Sequence, residues 1–151
     1  MTTIVYRNGV MVGDTRAYSG SAAPIGVKDK IFEIGGYLVG VSTSHVGLAE
    51  RIHAWFSHGR KEPLADFLPS HLNVESLQVL AVAPDGAAIY IAETLLPIAV
   101  TDEYYAIGSG DKQALGALAM GATAREAVVA AAKYDMYTNA ITTSLTHGGS
   151  K

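Results

Sequence analysis

The chain opens on two short apolar-rich runs, Thr2 to Arg7 and Val10 to Thr15, separated by Asn8-Gly9. Both turn residues accept a positive φ, which a two-residue hairpin turn demands, so the pattern predicts an N-terminal β-hairpin. A turn centred there places Thr3 opposite Asp14 and Thr2 opposite Thr15. Ser19 to Gly26 is small and polar with Pro24, and is expected to be a loop. Lys30 to Ser44 reads as two strands around Gly35-Gly36, with Tyr37, Val39 and Val41 alternating against Leu38 and Gly40. Leu48, Ile52, Trp55 and Phe56 then recur at helical spacing, predicting a helix that Ser44 caps and Gly59 ends.

Between Arg60 and Leu77 the pattern is irregular, broken by Pro63 and Pro69, and predicts loop with one helical turn at Leu64 to Leu68. Leu77 to Leu95 predicts a second clear hairpin around Pro84-Asp85-Gly86. Pro97 to Gly110 reads as one further strand ending in a Gly-Ser-Gly turn. Asp111 to Gly121 reads as a helix stopped by Gly121, and Thr123 with Glu126 forms a capping box for another helix through Asp135. Ala140 to Thr146 is a last strand, with a frayed tail beyond it. Strands in runs with segregated helices make this an α+β chain, and no repeat or linker divides its 151 residues into more than one domain.

Composition narrows the chemistry. Hydrophobic residues make up 49% and charged residues 17%, a core-forming balance rather than a disordered one. There is no cysteine, which removes disulfides, thiolate zinc sites and a cysteine nucleophile. The net charge is −3 without a basic block, so neither a nucleic acid nor an anionic membrane is an expected partner. No signal-like segment or long apolar run is seen, so a cytoplasmic location is expected. His53 and His58 do not share a helix face and no HExxH occurs, so no metal or other cofactor is expected.

What remains is a hydroxyl, an acid and a cation. Removal of Met1 would give Thr2 both a hydroxyl and an α-amine. Such an amine titrates at about 7.7–8.0 and can take the hydroxyl proton near neutral pH. Asp14 lies on the paired strand, and Lys30 follows it by sixteen residues. Lys30 could hold the alkoxide as it forms, with Asp14 keeping the ammonium oriented. Lys28 is a competing cation on the same strand face, and Arg16 a competing partner for Asp14. This set suggests an N-terminal nucleophile hydrolase.

Three segments together resemble the threonine peptidases of the proteasome β-subunit and HslV type. Thr2-Thr3-Ile4-Val5 with Gly9 to Ala17 is similar to the nucleophile strand and the Asp-Ser-Arg-Ala-like motif. Lys30 to Gly40 is similar to the lysine strand and its successor, and the Asp14–Lys30 spacing matches. Tyr105 to Leu118 with Thr123 to Asn139 resembles the Ile-Gly-Ser-Gly turn, the helix pair and the Asp-x-Tyr-Ser/Thr motif. The resemblance implies a four-layer αββα sandwich of two antiparallel sheets. It also implies a threonine endopeptidase acting through Thr2, in which Ser109 sits near the Thr2 amine and relays the proton. Asp135 would orient Ser109 and the nucleophile, with Thr138 standing where the family has serine or threonine. The oxyanion-binding amide falls on Ser44, where the family usually has glycine, and Ala17, Phe32, Ser42 and Val46 fall on the first specificity pocket, suiting small or modest apolar side chains.

Two departures accompany the resemblance. Each strand of the first hairpin is about one residue shorter, which leaves Thr2 and Asp14 in register. The family's second long helix, due between Arg60 and Leu77, is missing, so one helical layer is reduced. Homo-oligomers are implied, a ring in preference to a dimer, with an ATP-dependent unfoldase as partner by analogy and peptides or unfolded proteins as substrate. Two rivals share the fold: a small-molecule amidase, and a catalytically silent assembly subunit that retains Met1.

Overall fold

In the computed structural model, residues 2–19 and 23–147 are described. Strands β1 (Thr3–Arg7) and β2 (Val10–Asp14) form the first hairpin, with Asn8 and Gly9 both at positive φ and Ile4 opposite Gly13. That register is the one the turn predicts. The next two strands are β3 (Arg16–Tyr18) and β4 (Pro24–Val27), which pair in a small sheet of their own. The expectation of a loop from Ser19 to Gly26 is therefore corrected at its end: Pro24 to Gly26 are extended, and Pro24 fits because an edge strand can do without its N–H. Positions 20–22 of that stretch lie outside the described residues, as do Met1 and the tail beyond His147.

The strands β5 (Ile31–Ile34) and β6 (Tyr37–Ser42) follow, then helices α1 (Leu48–Ser57) and α2 (Leu64–Phe67). Ser44 does not cap α1. The cap position is Gly47, at φ 86°, and no side chain bonds there. The one turn foreseen in the Arg60–Leu77 segment is α2, with four residues. Strands β7 (Gln78–Val82) and β8 (Ala88–Ile91) form the hairpin around Pro84-Asp85-Gly86.

The single strand expected over Pro97 to Gly110 is two. Strand β9 (Ile98–Val100) pairs with β8, whereas β10 (Tyr104–Gly108) pairs with β1. The chain thus changes sheets at 101–103, where Tyr105 Oη accepts the Asp102 N–H at 2.8 Å and fixes the corner. Helices α3 (Asp111–Ala119) and α4 (Ala124–Ala132) and strand β11 (Thr142–Thr146) complete the fold. The Thr123/Glu126 capping box is formed at the start of α4.

Two antiparallel sheets result, ordered β10-β1-β2-β11 and β5-β6-β7-β8-β9, beside the small β3-β4 sheet. The period-two alternation sorts side chains into separate cores. Ile4, Tyr6 and Met11 meet Leu38, Leu80 and Val82 between the sheets. Val39, Val41, Val79 and Ala81 face Ile52, Trp55 and Phe56 of α1, while Val5 and Val12 face Leu118 of α3 and Val128 of α4. Both faces of β1, β2, β6 and β7 are thus covered, and each fully buried Ile, Leu or Met contributes about 1.5–3 kcal/mol. β1, β2 and β10 are consequently rigid supports for whatever stands at their ends.

Candidate active site

At the start of β1 and the end of β2 the chain buries polar groups that a core normally excludes. Thr2, Thr3, Asp14 and Lys30 are all buried, Asp14 completely. A buried carboxylate needs donors, and Asp14 has them on both oxygens. Its Oδ1 accepts from the Thr2 hydroxyl and from the Thr3 N–H at 3.1 Å. Its Oδ2 accepts the Arg16 N–H at 3.1 Å and the Asn139 N–H at 3.2 Å. Lys30 Nζ lies 3.1 Å from both oxygens.

The cation beside Asp14 is thus Lys30. Lys28 is exposed and, like Lys30, belongs to the link before β5 rather than to a strand face. Arg16 reaches Asp14 through its backbone alone, because its guanidinium donates to the Met136 carbonyl at 2.6 Å. Burial pushes the Lys30 ammonium below the ordinary lysine value, while the charge and hydrogen bond of Asp14 pull it back up.

A second set of hydroxyls stands on the other side of Thr2. Ser109 Oγ donates to Asp135 Oδ2 at 2.8 Å and lies 3.3 Å from the Thr2 carbonyl oxygen. The resemblance implies a place for Ser109 near the Thr2 amine; the hydrogen bond found is to the carbonyl of the same residue. Thr138 Oγ1 also donates to Asp135 Oδ2, at 2.5 Å, and meets Thr3 Oγ1 at 2.7 Å. The turn carrying Ser109 has no room for side chains at its flanks. Gly108 has φ 102°, and a Cβ on it would overlap the Thr2 carbonyl; one on Gly110 would overlap the Thr3 hydroxyl. Gln78, from the other sheet, accepts the Gly108 N–H at 2.8 Å.

The remaining candidates separate into three hollows. Ser42 lines a cleft of about 30 Å³ beside Thr2, together with Lys28, Lys30, Val41 and Thr43. Phe32 lines an adjoining cavity of about 280 Å³. Ala17, Ser44 and Val46 line another, of about 220 Å³, which also adjoins the Thr2 cleft, through Lys28, Thr43 and Ala49. The Ser44 N–H is donated to Ser76 Oγ at 2.9 Å, with the two hydroxyls 2.8 Å apart, so Ser44 does not present the free amide expected of it.

Thr3, Gln78 and Asn139 were not singled out by sequence. Thr3 and Asn139 both lie within the segments that carry the resemblance, but a hydrogen bond from the Asn139 backbone to a side chain 125 positions away leaves no mark on residue type. Gln78 opens a strand whose apolar pattern says nothing of its amide.

Neither a protein-family model nor a curated protein matches this sequence. Solved structures do match its fold over nearly the full length. BPH from Thiobacillus denitrificans superposes with a TM-score of 0.73 at 20% identity, covering 95% of each chain. BPH from the same organism in complex with epoxomicin gives 0.71 at 21% identity, covering 95% of this chain and 96% of that one. Eukaryotic HslV from Trypanosoma brucei gives 0.67 at 18% identity, covering 97% and 99%. The fold is the proteasome- and HslV-like N-terminal nucleophile hydrolase fold, an α+β arrangement of antiparallel sheets with few helices. Among the described residues no helix is long and apolar enough to cross a membrane.

Proposed function

We propose that on this proteasome-like fold the chain is a threonine endopeptidase, the proteolytic core subunit of a self-compartmentalising protease acting through Thr2 after loss of Met1. The observation that carries the reading is the buried contact of the Thr2 hydroxyl with Asp14, the carboxylate that also holds Lys30. An ordinary hairpin end has no reason to bury a hydroxyl, a carboxylate and an ammonium together, since each costs free energy to desolvate. The complex of BPH with epoxomicin supports the same reading.

In the proposed reaction the freed α-amine of Thr2 takes the Oγ proton as Oγ attacks the carbonyl carbon of the scissile peptide bond. Lys30 steadies the developing negative charge on Oγ. The C–N bond then breaks, the proton passes to the leaving amine, and an ester on Thr2 remains for water to hydrolyse. Asp135, through Ser109 and Thr138, positions the backbone of Thr2 and the proton path. The oxyanion donor is assigned to backbone beside Ser42 and Thr43, which line the Thr2 cleft, rather than to Ser44. The three apolar cores fit a single domain built as a four-layer αββα sandwich, with one helical layer reduced to α1 and the short α2. We place it in a homo-oligomeric ring that takes peptides or unfolded protein.

The engaged Ser44 amide is the observation that favours the silent assembly subunit instead. Intact mass before and after exposure to epoxomicin separates the two. Loss of Met1 and one adduct mapped to Thr2 are expected; retained Met1 with no adduct would sink the peptidase reading.

A further inference from the structure

The turn that carries Ser109 is held on the side facing Thr2 and on the side facing away from it. Towards Thr2, two of its groups reach one atom. The Gly110 N–H and Ser109 Oγ both donate to the Thr2 carbonyl oxygen, each at 3.3 Å. Away from Thr2, the grip comes from the other sheet. Strand β10 is the outermost of β10-β1-β2-β11, and its last residue, Gly108, is buried and stands opposite Thr3. A buried amide on an edge strand needs an acceptor, and its own sheet supplies none on the open side. The Gly108 N–H is donated to Gln78 Oε1 at 2.8 Å, at the start of β7.

Packing alone does not account for a glutamine there. Gln78 shares the strand face of Leu80 and Val82, which fill the apolar space between the sheets. An amide at the margin of that layer costs more to desolvate than a leucine would. The bond accounts for it. Gly108 is the joint that needs fixing, because at φ 102° and without a Cβ its backbone is the freest in the turn. The hydroxyl of Thr2 is already held by Asp14. The direction in which the Thr2 backbone can still swing is therefore set by the turn at its carbonyl.

We infer that Gln78 is a positioning residue for Thr2: by fixing the Gly108 N–H it fixes the Thr2 carbonyl, and with it the geometry between α-amine and hydroxyl on which proton transfer depends. The inference rests on the peptidase reading. Gln78 lines neither the Thr2 cleft nor the two cavities adjoining it. Its loss therefore slows the chemical step and leaves binding unchanged.

The test follows epoxomicin labelling of Thr2 by intact mass, separating the maximal rate at saturating probe from the concentration that gives half of it. Gln78→Met, similar in length but without the acceptor, should label about tenfold more slowly at saturation, with the half-saturating concentration unchanged. Gln78→Glu, which restores an acceptor oxygen, should recover most of the rate. Gln78→Asn, whose amide is drawn back by one methylene, should be as slow as Gln78→Met and covers the case of a methionine that fails to pack. Three results overturn the inference and leave the peptidase reading standing. They are a folded Gln78→Met or Gln78→Asn that labels at the parental maximal rate, a change confined to the half-saturating concentration, and a Gln78→Glu as slow as Gln78→Met. Failure of both Gln78→Met and Gln78→Asn to fold would make the bond one of folding alone and overturn it equally. No adduct on the parent overturns both.

Discussion

Two carboxylates flank Thr2, and they are built on opposite plans. Asp14 is completely buried at the end of a strand and is held by three backbone N–H groups, a hydroxyl and an ammonium. Asp135 is only half-buried, follows a helix, and receives the hydroxyls of Ser109 and Thr138. Amides and a buried lysine are fixed donors that cannot turn away, so Asp14 is held in place between one ammonium and three amide dipoles. Hydroxyls rotate, donate and accept in turn, so the Asp135 side can pass a proton without moving heavy atoms. One acid is bonded by fixed donors; the other by rotatable ones.

Breaking the first plan has the largest expected effect. Asp14→Asn leaves Lys30 buried against a neutral amide, and removing one member of a buried pair costs about 3–5 kcal/mol. A denaturant midpoint far below that of the parent, with epoxomicin labelling lost, is the expected outcome; parental stability would show that the pair is not a supporting element. The second plan breaks more gently. Asp135→Asn keeps one acceptor for the two hydroxyls and should cost about 1 kcal/mol of stability. Labelling of Thr2 should nevertheless slow by about a hundredfold, within the usual worth of a proton-transfer group. Labelling at the parental rate would remove Asp135 from the site.

The smallest effect sharpens the comparison through pH. Lys30 has its folded-state pKa lowered from 10.5, mainly by burial. Between that lowered value and 10.5 the unfolded chain binds more protons at Lys30 than the folded one, so stability contributed by this residue rises with pH across the window. Unfolding free energies of the parent relative to Lys30→Met should therefore climb as pH is raised towards 10.5. A flat or falling difference would mean that the attraction of Asp14 outweighs burial.

Where sequence was legible, local chemistry left only one solution. Asn8-Gly9 set the register that brings Thr2 to Asp14, and Thr123 with Glu126 marked the start of α4. Lys30 met Asp14 at the spacing that suggested it. What stayed hidden depends on partners far along the chain. β4 is extended because it pairs with β3, although its residues are those of a loop. Nothing in Thr101 to Glu103 announces a change of sheet. Ser44 looked like a helix cap because serine caps helices, yet its hydroxyl and amide are taken by Ser76 across a loop. How α1 sits on β5 and β6 likewise set the hollows around the Thr2 cleft, so that Ser42 lines the cleft itself, Phe32 one neighbouring cavity, and Ala17 and Val46 another.

The Gln78 amide that accepts the Gly108 N–H joins a strand of one sheet to a turn of the other. Gln78 is also paired across its own sheet with Ser42, beside the Thr2 cleft. Anything pressing on that cleft therefore pushes against the same strand pair that steadies the turn of Ser109. The Thr2 cleft and the Ser109 turn share one mechanical mount, and a shift of either sheet would be registered at both.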